Sequence, residues 1–380
     1  MKRRVSVITV LSIVISLICT TSLYVYASVS ALSGRGIIDD TTYYIYTGNG
    51  SYMTPVSNNS SDWGPVQTLN NAQLSDSRYM WMVDQQTDGT FTIRSFEGNG
   101  RYLRAYEDMS VNVHFNVNDS VNFDICRIDC GTFEGKYTIM NGDNYVTMEN
   151  NSIILTEEPS DFSYWTFMTV QKGVADCYSY SYGEFNSTNI NIDVENYYDS
   201  WGYNGFFLEN YVDTSDILDF MTENDISIFA GLGQAGAIIT NPDKSTDTMI
   251  MAEYELTEGF MQQYVYDLPN NAFARSRCII YLSSCSGIED LGNDGSYYNL
   301  VDATYAKGAH YVLGFKVTME SDLIKPWLTR FIQEIDNGGS IEYSVEKACV
   351  ATGLYDGSAT NPDLSNYIYF RGDGDQYLNF

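Results

Sequence analysis

The sequence predicts two folded domains, an all-β one followed by an α/β one with a mainly parallel sheet, and three observations carry that expectation. The chain has 380 residues, more than the roughly 100–200 of one typical domain. From Gly36 to Val170, short aromatic and β-branched runs alternate with Gly, Asn, Asp and Ser clusters and show no helical period, which is the pattern of strands and turns. From Ala175 onward, helical periods fall between short apolar runs, and such alternation builds a mainly parallel sheet covered on both faces. Hydrophobic residues make up 44% of the chain, enough for sizeable cores.

Residues 1–31 stand apart from both domains. Lys2, Arg3 and Arg4 precede the almost wholly apolar stretch Val5 to Ile18, and Val25-Tyr-Ala27 or Val29-Ser-Ala31 offers a small-residue cleavage site. That is the layout of a secretory signal peptide, so a secreted, extracellular protein is expected, with no membrane attachment once the signal is cleaved. An uncleaved anchor is the alternative, and its apolar core is shorter than the ~20 residues of a span. The formal charge of −29 becomes more negative still when the three basic residues of the leader are removed. Such a surface repels nucleic acid and anionic membranes, and no nucleic-acid partner is expected.

Within residues 36–170 a threefold repeat is visible. Tyr-Tyr-Ile45 is followed by Gly-Asn-Gly-Ser-Tyr52, Phe-Thr-Ile93 by Gly-Asn-Gly-Arg-Tyr102, and Tyr-Thr-Ile139 by Gly-Asp-Asn-Tyr145. The repeats close on the equally spaced aromatics Trp81, Phe123 and Trp165. All-strand units of this length bury their apolar faces only against one another. The segment resembles a ricin-type β-trefoil, and that resemblance implies a carbohydrate-binding module. The family's Gln-x-Trp closure is absent, because Tyr79, Val121 and Ser163 stand two places before the closing aromatics. Ile45, Trp81, Ile93, Phe123, Ile139 and Trp165 are therefore read as repeat core. Cys126 and Cys130 either bridge across a turn or remain two free thiols.

Gln171 to Val174 reads as a linker to the second domain, residues 175–380. There, helical periods are expected over Thr214 to Asn224, Leu256 to Leu268, Asn299 to Lys307, Leu323 to Ile335 and Ile341 to Leu354. Pro326 fits the fourth only in its first turn. The buried strands are Ile226 to Ala230, Cys278 to Leu282, Tyr311 to Phe315 and Tyr367 to Phe370. Cys285 follows the second of these, just past its carboxyl end, where open α/β sheets bind ligands.

Four segments in order carry a second resemblance: Ile-Phe-Ala-Gly231-Leu232-Gly233, Tyr-Leu-Ser-Ser-Cys285, Gly308-Ala-His-Tyr-Val-Leu-Gly-Phe315 and Arg371-Gly-Asp-Gly-Asp375. Together they are similar to cysteine peptidases of the caspase-haemoglobinase type, including gingipain-like, clostripain-like and CHAT domains. The resemblance implies a three-layer αβα sandwich, a nucleophile at Cys285 and a histidine at the position that is Leu232 here. Leucine neither lowers a thiol pKa nor protonates a leaving group. His310 begins the strand next to that of Cys285, roughly 15–20 Å away at ~3.3 Å per residue, and reads as structural. His114 lies in the repeat segment.

The expected site is the crevice of Gly231, Leu232, Gly233, Gln234, Ser284, Cys285 and Ser286. Two readings of it follow: a pseudo-peptidase that recognises an extracellular glycan, protein or peptide, and an active secreted cysteine endopeptidase using an unrecognised base. A third reads Gly231-Leu-Gly-Gln-Ala-Gly236 as a dinucleotide fingerprint, which requires a helix directly after it. Asn241-Pro242 stops any such helix within a turn. No cofactor and no metal site are expected: CxxC pairs are absent, only two histidines occur, and Asn293-Asp-Gly-Ser296 reads as a turn, matching no EF-hand pattern. Glu289-Asp290 reads as solvated loop charge.

Overall fold

The computed structural model describes residues 35–48, 50–56, 63–70, 76–96, 100–115, 122–179, 194–209, 214–239, 248–251, 261–287, 290–291, 297–355 and 363–379. The leader at 1–31, Val121, the Gln234 side chain, Asn241-Pro242, Glu289 and the Asn293–Ser296 loop lie outside these residues. No helix among the described residues is long and apolar enough to cross a membrane.

Alternation of apolar and polar residues sends one face of each strand in the first part inward. Its strands, running from Thr41–Thr47 to Tyr164–Thr169, join in one antiparallel sheet that closes on itself: pairing runs round to Tyr137–Asn141, which bonds back to Asn144–Glu149. The repeat residues fill this barrel. Ile45, Ile93 and Ile139 are fully buried, as are Trp81, Phe123 and Trp165. The two indoles donate to equivalent backbone carbonyls, Trp81 to Met53 and Trp165 to Val146, each at 2.9 Å. Phe123 has no N–H to donate, and its strand is held by paired backbone bonds with Phe91, both 2.8 Å. Tyr79 and Ser163 are buried as well, Ser163 bonding Thr147 at 2.7 Å.

The second part is a mixed sheet in the order Asn204–Glu209, Val174–Ser179, Ile226–Gly231, Cys278–Ser283, Tyr311–Phe315, Ile368–Gly372. Every neighbouring pair is parallel except the last, which is antiparallel. Period-two alternation divides each central strand between two cores. Cys177, Ile228 and Ile280 pack with Trp327, Leu328, Phe331 and Val345 from helices Ser321–Asp336 and Ile341–Ala351. Tyr178, Phe229 and Tyr281 pack with Leu218, Met221 and Val301 from helices Thr214–Glu223 and Leu300–Ala306. Helices thus cover both faces, and Cys177, Cys278 and Cys349 are inert core thiols whose pKa burial raises.

Three expectations need correction. The period at Leu256 to Leu268 is not a helix in its described half, which is a strand, Met261–Tyr264, and a 3-10 turn, Val265–Asp267. It belongs to a small second sheet with Gly233–Gln234, Ala237–Ile239 and Thr248–Met251, whose pairing overrides local propensity. Pro326 sits in the second turn of its helix rather than the first. It is on the solvent face, as is Asp322 four residues before it, whose carbonyl the proline cannot pair. Strands Val174–Ser179 and Asn204–Glu209 and helix Val194–Ser200 were not expected, and the first of these takes in the end of the supposed linker.

The barrel and the sheet meet across a buried polar seam. Arg127 donates to the carbonyls of Tyr305 (2.7 Å) and Ala309 (3.1 Å) and lies 4.0 Å over the Tyr305 ring. Thr166 donates to Asp373 at 2.9 Å, and Arg277 bonds Thr169.

Candidate functional site

Register brings the predicted crevice together. Ile226–Gly231 and Cys278–Ser283 run parallel with Gly231 opposite Ser283, so the Leu232 and Cys285 turns leave adjacent strand ends. Contact is closest at Gly233, where a Cβ would stand 2.6 Å from Ser283 Oγ and 2.7 Å from the Ser284 carbonyl. Only glycine permits this approach.

Cys285 has φ of 58°, in the left-handed region that a side chain rarely adopts. The turn is fixed in that conformation by the segment that follows Tyr311–Phe315. Cys285 N–H donates to Val317 (3.1 Å), Gly287 N–H to Phe315 (2.9 Å), and Met319 N–H to Ser284 Oγ (2.9 Å). Ser286 is fully buried, donating to Tyr281 and Ser283 and accepting from Phe315 N–H at 3.2 Å. The thiol is therefore held half-exposed on a rigid turn. Among the described residues its sulfur makes no hydrogen bond.

Neither histidine comes to it. His310 lies at the opposite end of the Tyr311–Phe315 strand, about 17 Å along at ~3.3 Å per residue. It is 4% exposed and its Nε2 donates to the Ala274 carbonyl at 3.0 Å. Burial, with Arg127 beside it, pushes its pKa down to about 4, which leaves it neutral. His114 ends a barrel strand, Val111–His114. Leu232 donates no proton; its carbonyl accepts from Ile239 N–H at 3.0 Å.

That last bond also removes the dinucleotide reading. Gly231 to Gly236 leads into a hairpin, Gly233–Gln234 with Ala237–Ile239, and not into a helix whose N-terminus would hold a pyrophosphate. Cys126 and Cys130 are both free thiols. No three His, Cys, Asp or Glu side chains group to hold a metal among the described residues.

Two features escaped the sequence. Asp176 sits in the apolar strand Val174–Ser179, and burial raises its pKa to about 7. The second is a barrel pocket of about 540 Å³ lined by Thr147, Glu149, Asn150, Asn151, Ser160 and Phe162. Asn150 and Asn151, at φ of 50° and 64°, make the tight hairpin turn after Asn144–Glu149. Ser160 caps the short 3-10 turn that presents Phe162, whose side chain is 42% exposed. The Asn-Asn pair followed by an aromatic three places before Trp165 is the sequence signal that could have found it.

No family model matches the sequence, and no curated protein matches it. Among solved structures, the chain is similar to Cry35Ab1 (21% identity, 35% of this chain and 37% of that one, TM-score 0.28). It is similar to the agglutinin from Abrus precatorius (16%, 33% and 48%, 0.26) and to the Saccharomyces cerevisiae separase–securin complex (10%, 52% and 12%, 0.33). The chain spans 37% of Cry35Ab1 and 18% of a mosquitocidal holotoxin, the first two structures it resembles.

Proposed function

We propose that this chain is a secreted recognition protein in which a ricin-type β-trefoil, residues 36–170, binds an extracellular glycan, and a caspase-like domain, residues 175–380, is a pseudo-peptidase. The observation that carries the second half is the register of Gly231 with Ser283: it sets Leu232, at the histidine position, beside a Cys285 turn that has no base among its described neighbours. Without an imidazole beside it, the thiol has no group to take its proton on attack or to return one to the leaving amine. The glycan half is supported by the 540 Å³ pocket, whose exposed Phe162 ring offers a face to a sugar's C–H surface while Glu149, Asn150 and Asn151 offer hydroxyl partners.

One observation favours the competing reading of an active cysteine endopeptidase. The strained, bonded turn at Cys285 is what a nucleophile held ready for attack requires. Alkylation across pH and peptide hydrolysis separate the two. The pseudo-peptidase predicts slow labelling at pH 6 and no cleavage by the native chain, with labelling accelerated in Leu232→His. Rapid labelling of the native chain at pH 6, or cleavage abolished by Cys285→Ala, overturns it. For the glycan half, Phe162→Ala should abolish binding on a glycan array with the fold unchanged by circular dichroism, and an unaltered binding pattern refutes that site.

A further inference from the structure

We propose a second ligand site, in the cavity where the barrel meets the parallel sheet, that takes a single sugar residue bearing a carboxylate. The cavity measures about 260 Å³, below the roughly 300–1,000 Å³ of sites for drug-sized ligands, so it suits one ring. Its walls come from both parts of the chain, and neither part alone forms it. On the barrel side are Asp40, Thr42, Met80 and Phe96; Gln171 and Arg275 close it on the other.

Arg275 supplies the anion-binding group. Its Nη2 lies 3.4 Å from Asp225, and the guanidinium packs over Gly173, where any side chain would collide with it. Its remaining nitrogens make no hydrogen bond among the described residues. Three cations gather at this wall of the cavity on a chain whose formal charge is −29, while Asp40 stands on the barrel side. Arg275, Arg277 and Lys172 all act on the one carboxylate of Asp225, and the charge of Lys172 is disfavoured by burial and then by Arg277. An anion seated at Arg275 relieves that crowding.

The other walls say what the rest of the ligand is. Phe96 is 54% exposed, and its backbone is tied to Met80 by a 2.8 Å bond, so an exposed ring stands at the rim on an anchored main chain. A sugar's apolar face covers such a ring. Thr42 accepts from Val170 N–H at 2.9 Å, which ties the barrel side to the Val170–Gln171 segment beside it. Asp40 faces the same cavity and repels a compact anion such as phosphate. It accepts hydroxyl hydrogens well. A ligand that meets both demands carries its carboxylate on one side and hydroxyls on the other, as sialic and uronic acids do.

This site is separate from the Phe162 pocket and stands or falls without it. The test is calorimetric titration of the full chain with N-acetylneuraminic acid, galacturonic acid, neutral galactose and inorganic phosphate. One or both acids should bind saturably, galactose and phosphate about tenfold or more weaker, the difference of one charged hydrogen-bond pair. Which acid binds identifies the class of sugar. Arg275→Gln should remove the preference for acid over galactose. Because that change also touches Asp225, Phe96→Ala, at an exposed ring, is the companion variant and should weaken acid binding with the melting temperature unchanged. Phe162→Ala should leave it intact. The proposal is overturned if neither acid saturates, if galactose or phosphate binds as tightly, or if Phe162→Ala and not Phe96→Ala removes the binding.

Discussion

The two ends of the parallel sheet are built on opposite terms. At the carboxyl end the strands Ile226–Gly231 and Cys278–Ser283 release tight turns, and Cys285 stands half-exposed in a conformation held by backbone bonds. At the amino end, Asp225, Arg277 and His310 are sealed against the barrel, each under 5% exposed. The chain thus has a thiol and an imidazole on neighbouring strands and keeps them a strand's length apart, one half-exposed with no base among its described neighbours, the other buried and held neutral. Proximity in sequence order does not assemble a catalytic pair; shared location at one sheet end does.

The sharpest way to break that contrast is at the sealed end. Arg127→Ala strips two carbonyls of their donor and removes the cation from the Tyr305 ring, and should cost on the order of 4 kcal/mol in urea unfolding. A loss under about 1 kcal/mol would mean that the seam is not the buried bond it resembles.

Next in size is the pH dependence set by His310. Its folded pKa of about 4 lies below the unfolded value of 6.5, so the unfolded chain binds more protons between them. Stability is complete above about pH 6.5 and falls as pH drops towards 4, by up to about 3 kcal/mol. Denaturant midpoints from pH 7.5 to 4.5 should show this slope, and His310→Gln should flatten it.

The smallest effect belongs to the open end and has the opposite sign. Cys285→Gly relieves a positive φ and should raise stability by about 1 kcal/mol. A destabilised variant would show that the sulfur packs more than its half-exposure implies.

Much of this architecture was legible in residue order. The repeats at Ile45, Ile93 and Ile139 with their closing aromatics pointed to one barrel core because apolar alternation is a local property of strands. The apolar runs ending at Leu282 and Phe315 read as central parallel strands for the same reason. The Met261–Tyr264 strand was misread because a short apolar period does not distinguish strand from helix, and its pairing partners lie elsewhere in the chain. The Phe162 pocket is local, its walls all between Thr147 and Phe162, and the Asn-Asn turn marks it; the Arg275 cavity was invisible, since its walls run from Asp40 to Arg275.

By itself the sequence determined the class of each half, the place of Cys285 past a strand end and the leucine at position 232, because period, strand length and residue identity are local facts. Only the tertiary structure decided that Cys285 sits on a strained, bonded turn, that His310 is sealed away from it, and that barrel and sheet share a buried seam with a cavity beside it. Those depend on register and burial, which are set by contacts between residues far apart in the chain.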